Sequence, residues 1–240
     1  MGPLTIVVSI VVPAFNEIGT IVHVLEKIAA QKFEDIRLEV IVVDDGSTDG
    51  TRELLTQRPD LYARFIQRPA NGGKGAALKD GIGAATGEYV LIQDADLEYD
   101  PVDYGSLFKP IVLHDADVVM GSRFVAPALT RVFYFTHKLG NLFITFMFNV
   151  FNNTTFTDTY CGYLVYRRRL LDVNTLRTSG WEQHAEMLSR VFHASRSTYE
   201  VPVSYHGRTY EEGKKIRAWH VFSIIVTIIT ERFRRPKRRR

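Results

Sequence analysis

Asp94 and Asp96 stand just past a short apolar run, Tyr89 to Ile92, with Glu98 two residues further on. On an extended backbone, side chains two residues apart point the same way, so the two carboxylates converge. Converging carboxylates are hard oxygen ligands, suited to a divalent cation shared with phosphate oxygens. Taken alone, such a pair is more often a solvated acidic turn, here leading to Pro101. A second acidic pair, Asp44 and Asp45, closes another apolar run, Leu38 to Val43. Other chemistries find no footing. Gly72 to Ala77 is neither a dinucleotide fingerprint nor a Walker loop. No His-x-x-x-His pair occurs, a single Cys argues against structural zinc, and no Gly-x-Ser-x-Gly elbow is present.

The elements that must position these acids alternate. Thr5 to Val12 reads as a buried strand ending at Pro13. Thr20 to Ala30 reads as a helix with Ile21, Val24, Leu25 and Ile28 on one face. After the strand Leu38 to Val43, Ser47, Thr48 and Asp49 offer N-caps for a helix near Thr51 to Gln57. A short strand, Phe65 to Gln67, a helix from about Ala76 to Ala85, and the strand Tyr89 to Ile92 follow. Such alternation implies a parallel sheet with right-handed crossovers, whose carboxyl-end loops share one crevice. Asp44/Asp45 and Asp94/Asp96 are expected to meet there.

Beyond this, helices are expected over Tyr104 to Leu113, Phe133 to Phe151 (apolar on more than one face) and Trp181 to Ala194. Strands are expected over Asp117 to Met120, Leu164 to Tyr166 and Tyr199 to Tyr205, where Pro202 favours an edge.

The 240 residues have ample length for a core, and the net charge of +3 is unevenly spread. Residues 231–240 hold seven Lys/Arg and one Glu, a local +6 that leaves −3 on the rest. Just before them, Val221 to Ile229 is apolar but spans only about 15 Å as a helix, too short for a bilayer core of about 30 Å. His220, Ser223, Thr227 and Glu231 recur at helical spacing along it, and cations flank it. That pattern suits a helix lying in a membrane interface; the competing reading is a terminal helix packed on the core. The domain reading is 1–210 for the α/β body and 211–240 for this helix and basic tail, without a transmembrane span. Cys161 alone allows no intramolecular disulfide and points to a reducing compartment. No basic n-region precedes the first apolar run, so no cleaved signal peptide is expected.

Five motifs in order, VPAFNE (12–17), VVDDGSTD (42–49), NGGKG (71–75), QDAD (93–96) and GSR (121–123), resemble the family 2 glycosyltransferases of GT-A fold. Together with HGRTYEEGKK (206–215), they are similar to the polyprenyl-phosphate branch of that family, typified by dolichol-phosphate mannose synthases. The resemblance runs from about Val8 to Ile216. It implies an α/β, Rossmann-like, mostly parallel sheet with helices on both faces. It also implies that Pro13, Ala14, Glu17, Asp44, Asp45, Lys74, Gln93 and Asp94 bind the nucleotide sugar. Asp94, Asp96 and Glu98 would hold Mg²⁺ or Mn²⁺, with Glu98 where relatives often have Gln. Asp96, Arg123, Arg208 and Lys214 would be catalytic, the cations gathering phosphates. Lys138, Asp158, Thr159 and Glu182 would lie on the acceptor side. Blander readings stay open: ion pairing for Arg123, solvated loop cations for Arg208 and Lys214, a cap for Asp158, and an exposed ion pair of Glu186 with Arg190. His184 departs from the family pattern.

The implied activity is inverting transfer of one hexose, from GDP-mannose by preference, to a polyprenyl or dolichyl phosphate at the cytoplasmic membrane face. UDP-glucose or UDP-N-acetylglucosamine are the alternative donors. A soluble transferase with a sugar or protein acceptor is the rival enzyme, and a lipid- or nucleic-acid-binding scaffold the non-enzyme reading. Nucleic acid is the disfavoured partner, since a tail binding it alone would not need the apolar stretch before it.

Overall fold

The computed structural model describes residues 5–125, 135–207 and 219–234. Seven strands form one sheet: β1 (Ile6–Ala14), β2 (Ile36–Asp44), β3 (Arg64–Gln67), β4 (Tyr89–Ile92), β5 (Val118–Ser122), β6 (Leu164–Arg167) and β7 (Thr198–Pro202). Their spatial order is β3-β2-β1-β4-β6-β5-β7. β1, β2, β3 and β4 are mutually parallel, and so are β5 and β7. Only β6 runs against its neighbours. β4 is buried along its whole length and β1 from Val8 onward, which accounts for the unbroken apolar sequence of β4 and for that of β1 apart from Ser9. The late strand stops at Pro202, short of Tyr205, and lies at the sheet edge as the proline requires.

Seven helices connect the strands: α1 (Ile21–Ala30), α2 (Thr51–Thr56), α3 (Lys74–Ala84), α4 (Tyr104–His114), α5 (Phe135–Asn152), α6 (Gln183–Ala194) and α7 (Trp219–Phe233). The α1 face Ile21, Val24, Leu25 and Ile28 is buried as its periodicity predicts. α3 starts at Lys74, two residues ahead of the sequence expectation. α5 is apolar on two sides: Ile144 and Phe148 are buried, while Leu139, Phe143, Phe146 and Val150 are exposed.

α7 packs against α5 and α6. It buries Ile224 and Ile228 and leaves Phe222 and Val226 outside. Its polar stripe is turned partly inward, where Glu231 accepts from Arg190 Nε of α6 at 3.0 Å. The segment 221–229 thus has a protein-facing side and an outer apolar side. The 210/211 domain boundary, and with it Arg208 and Lys214, lies outside the described residues.

The strand order reverses between β1 and β4, since β1 is paired to β2 on one side and β4 on the other. Loops leaving the two strands there diverge and open a crevice. The rest of the molecule is built around it.

Candidate active site

A cavity of about 930 Å³ fills this crevice. Its first wall is the end of β1, where Pro13, Ala14 and Glu17 line it. Hydrogen bonds tie that loop to the one after β2: Asn16 N–H donates to Ser47 Oγ, Thr48 N–H to Asn16 Oδ1, and Glu17 N–H to Thr51 Oγ1.

The two acids after β2 have different fates. Asp45 lines the cavity; its Oδ1 accepts from the Gly72 N–H at 3.0 Å and from the Arg68 guanidinium. Its Oδ2 is buried with no partner among the described residues, so it is an acceptor awaiting a donor. Asp44 is fully buried and faces away, accepting from Arg52 Nε at 2.6 Å and the Ser47 N–H at 3.2 Å. The pairing of both acids along one crevice is thereby corrected to Asp45 alone. Neighbouring residues leaving a strand point to opposite sides. Gly46, at φ +76°, makes the turn possible: a Cβ there would sit 2.7 Å from the Ala70 carbonyl carbon and the Asn71 nitrogen. That approach brings the 71–75 loop over Asp45.

The acids after β4 do converge, though from a loop, because the strand ends at Ile92. Asp94, Asp96 and Glu98 all line the cavity together with Lys74, the first residue of α3. Lys74 pairs with Asp94. Burial alone would lower the Lys74 ammonium, but Asp94 first, then Asp96 and Glu98, outweigh it and hold the ammonium above its ordinary value. Asp96 Oδ1 accepts from the Glu98 N–H at 3.0 Å, and Tyr205 Oη donates to Glu98 Oε2 at 3.1 Å.

Gln93 is not part of the lining. Its Oε1 accepts from Tyr104 and Tyr163 hydroxyls at 2.9 and 2.8 Å, and its Nε2 donates to the Asp94 carbonyl. Its role as a ligand contact is corrected to that of a brace behind the acidic loop.

Whether a divalent cation suits this corner is answered by Lys74, a cation the three carboxylates already attract. The donor set is hard oxygen. Among the described residues no group of three or more His, Cys, Asp or Glu is placed to hold a metal ion by itself. A cation held by Asp94, Asp96 and Glu98 would therefore share its shell with phosphate oxygens and water, as Mg²⁺ commonly does.

Arg123 follows β5 and is locked. Its Nε and Nη2 donate to Asp158 Oδ2 and Oδ1 at 2.6 and 2.8 Å, and Nη2 also reaches the Tyr160 carbonyl at 3.1 Å. Its guanidinium lies 5.0 Å from the Tyr205 ring centre. Burial disfavours the charge, but Asp158 more than compensates and raises Arg123 well above its usual value. Arg123 still lines the cavity, while Asp158 and Thr159 stand behind it. The Thr159 N–H donates to Thr145 Oγ1 of α5 at 3.1 Å. Lys138 is exposed on α5, its ammonium 5.6 Å from the Phe124 ring centre.

α6 turns a different face inward from the one its acids suggested. Gln183, His184 and Met187 line the cavity. Glu182 does not; it accepts from the Gly180 N–H at 3.3 Å. Glu186 is buried, accepts from the Arg177 and Thr178 N–H groups at 3.0 and 2.9 Å, and pairs with Arg190. The exposed pair anticipated for Glu186 and Arg190 is thus an interior one. Gly75 allows this packing: a Cβ on it would lie 2.4 Å from the Ser179 carbonyl oxygen.

Tyr99, Tyr160 and Cys161 also line the cavity without having been singled out for it. Burial pushes the Cys161 thiol up to about 12, so it is inert as a nucleophile. The cavity is also lined by Gly140, Asn141 and Ile144 of α5 and by Val221 and Ile224 of α7.

The sequence profile described as "Glycosyl transferase family 2" matches residues 9–174. The chain belongs to glycosyl transferase family 2. Among family relatives, Glycosyltransferase AglJ of Haloferax volcanii is 30% identical over 205 residues, covering 84% of this chain and 63% of that protein. The low-salt glycan biosynthesis hexosyltransferase Agl6 of the same organism is 29% identical, covering 85% of this chain and 48% of its own length. Dodecaprenyl-phosphate galacturonate synthase of Rhizobium johnstonii is 27% identical over 230 residues, covering 94% and 66%. This chain thus spans between half and two thirds of the curated relatives it matches.

Glucosyl-3-phosphoglycerate synthase from Mycobacterium tuberculosis, in its crystal structure with Mn²⁺, UDP and glucosyl-3-phosphoglycerate, superposes with a TM-score of 0.68. It shares 20% identity and covers 97% of this chain and 82% of its own. The GT-A fold expected from the motifs is therefore the fold found. No helix among the described residues is long and apolar enough to cross a membrane.

Proposed function

We propose that this family 2 protein transfers one hexose, with inversion, from a nucleotide sugar to a polyprenyl phosphate at the cytoplasmic membrane surface. GDP-mannose is the first donor to test, with UDP-hexoses behind it. One observation carries the reading. The cavity holding the acidic corner is also lined by residues of α5 and α7, and these two helices expose Phe146 and Phe222 on their outer sides. A donor diphosphate at one end and an acceptor whose tail leaves between greasy helices would both be accommodated. The Rhizobium relative is named for a dodecaprenyl-phosphate product, which supports a lipid-phosphate acceptor. The mycobacterial enzyme of the same fold was crystallised with Mn²⁺ and UDP, which supports a divalent cation beside a nucleotide.

In this reading Asp45 Oδ2 takes a hydrogen bond from the base or ribose, and the β1 loop closes over the nucleotide. Asp94, Asp96 and Glu98 hold Mg²⁺ or Mn²⁺, which would neutralise charge growing on the departing diphosphate. The Lys74 ammonium, at the N-terminus of α3, adds a positive group on the same side. Arg123, fixed by Asp158, presents a rigid positive edge to the same cavity. Arg208 and Lys214 are assigned to the phosphates by their motif alone. An acceptor phosphate, with a second pKa near 6, is mostly ionised at neutral pH and needs no general base. One direct displacement then inverts the anomeric carbon.

The test combines purified protein, Mg²⁺ or Mn²⁺, a panel of nucleotide sugars and a polyprenyl phosphate, with products identified by mass. A glycosylated lipid phosphate is expected. Failure with every donor would overturn the lipid-acceptor reading, and transfer to a sugar or protein hydroxyl would establish the soluble alternative.

A further inference from the structure

His184 stands outside the roles given to its neighbours. α6 turns it to the cavity, and its ring packs edge-on against Tyr160 at 5.5 Å between centres. The Thr159 carbonyl hydrogen-bonds to the ring. A carbonyl only accepts, so the nitrogen facing it carries the proton. The other nitrogen, Nε2, is buried and has no partner among the described residues. It is therefore an unshared lone pair on a side chain that lines the site. Burial first, and the Lys74 charge second, hold this imidazole down to about 4, so it is neutral at physiological pH.

A buried acceptor is costly unless a donor meets it. Three parts of the reactants could come near. The nucleotide base belongs at the other end, with Asp45 and the β1 loop. The acceptor phosphate is ionised and has no proton to give, so a lone pair facing it is repelled. A sugar hydroxyl remains, and the sugar lies next to the diphosphate that Lys74 and Asp94 face. Lys74, Asp94 and Asp158 are the charges that His184 itself senses, Lys74 the most strongly.

We propose that His184 Nε2 accepts a hydrogen bond from a hydroxyl of the transferred hexose and so helps select which sugar is moved. The inference rests on the nucleotide-sugar reading above. It makes α6 a specificity element, and it assigns the one residue of that helix whose type departs from the family pattern. A site that hydrogen-bonds a sugar hydroxyl rejects the analogue lacking it, because its own acceptor is then stranded.

The experiment measures affinities by calorimetry in Mn²⁺ buffer for UDP, GDP, UDP-glucose and GDP-mannose, with wild type, His184→Phe and His184→Gln. Phe keeps the ring packing on Tyr160 and removes the acceptor; Gln restores an acceptor oxygen. Both bare diphosphates should bind all three proteins alike. The sugar nucleotide that wild type prefers should bind His184→Phe about tenfold more weakly, with partial recovery in His184→Gln. An unchanged sugar-nucleotide affinity in His184→Phe would overturn the assignment. So would an equal loss for the bare diphosphates, which would mark a structural effect. If wild type binds none of the four, it is the nucleotide-sugar reading itself that falls.

Discussion

Replacing Asp158 by asparagine should destabilise the Arg123 wall of the crevice more than any surface change. Asp158 is fully buried and Arg123 only 7% exposed, so the pair is screened by almost no water. The carboxylate receives Arg123 Nε, Nη2 and backbone N–H, and also the Tyr160 N–H at 3.3 Å. Asparagine keeps one acceptor oxygen but leaves the guanidinium without a counter-charge. Breaking a buried pair from one side costs about 3–5 kcal/mol. The retained oxygen and the Tyr205 ring beneath the guanidinium point to the lower end, roughly 3 kcal/mol. For a chain of this size that corresponds to a fall in Tm of roughly 6–12 °C.

Thermal and urea unfolding, followed by the fluorescence of the two tryptophans, would measure it. The double variant Arg123→Met/Asp158→Asn removes both charges and should recover much of the loss, because no ion is left stranded. A loss below about 1 kcal/mol for Asp158→Asn, or a double variant no better than the sum of the singles, would refute the reasoning.

Three further outcomes are expected. Asp96→Asn should abolish transfer while shifting stability by no more than about 0.5 kcal/mol, as for a substitution away from the core; full activity, or activity surviving chelation, would remove the cation from the mechanism. Glu186 carries an acid-sensitive contribution. Burial would raise it, but hydrogen bonds from Thr178 and Arg177 and the Arg190 charge outweigh burial and hold it below its usual value. A depressed carboxylate stabilises fully above its unfolded pKa and loses that contribution as pH falls through its own lower value. Glu186→Gln should therefore be less stable at neutral pH and should lose less on acidification from about pH 5 to 3, read as Tm against pH. Finally, Phe146→Asp and Phe222→Asp, at positions 60% and 74% exposed, should fold normally and bind anionic liposomes at least about tenfold more weakly. Unaltered liposome binding in both would show that the outer faces of α5 and α7 do not meet the bilayer.

What the sequence made legible follows from the range of each signal. β1, β2 and β4 are mostly apolar, broken only by Ser9 in β1 and by Arg37 and Glu39 in β2, and the acids that close β2 and β4 had to fall at one end of a parallel sheet. Which acid of each pair faces the cavity depends on a single residue of register, so Asp45 and Asp44 could not be told apart, nor Asp94 from the bracing Gln93. On α6 the charged residues drew notice, yet the phase of Met187 and its neighbours decided that Gln183 and His184 turn inward. The pairing of Arg123 with Asp158 joins residues 35 apart, a contact that no local pattern announces. For α7, helical spacing marked out a polar stripe that ends at Glu231. It could not show that Arg190 of α6 waits inside for Glu231, since that partner comes from another element.

The reversed strand β6 divides the molecule's labour along its length. Because it runs against the sheet, the chain enters it at the edge where the other strands leave, and residues 158–162 arrive beside the crevice from the opposite direction. Every residue that lines the cavity comes either from before residue 100 or from after residue 120, on the two sides of α4 in the chain. The two parts are interlocked, since Tyr163 braces Gln93 and Tyr205 holds Glu98, so a change after α4 reaches the acidic loop as well.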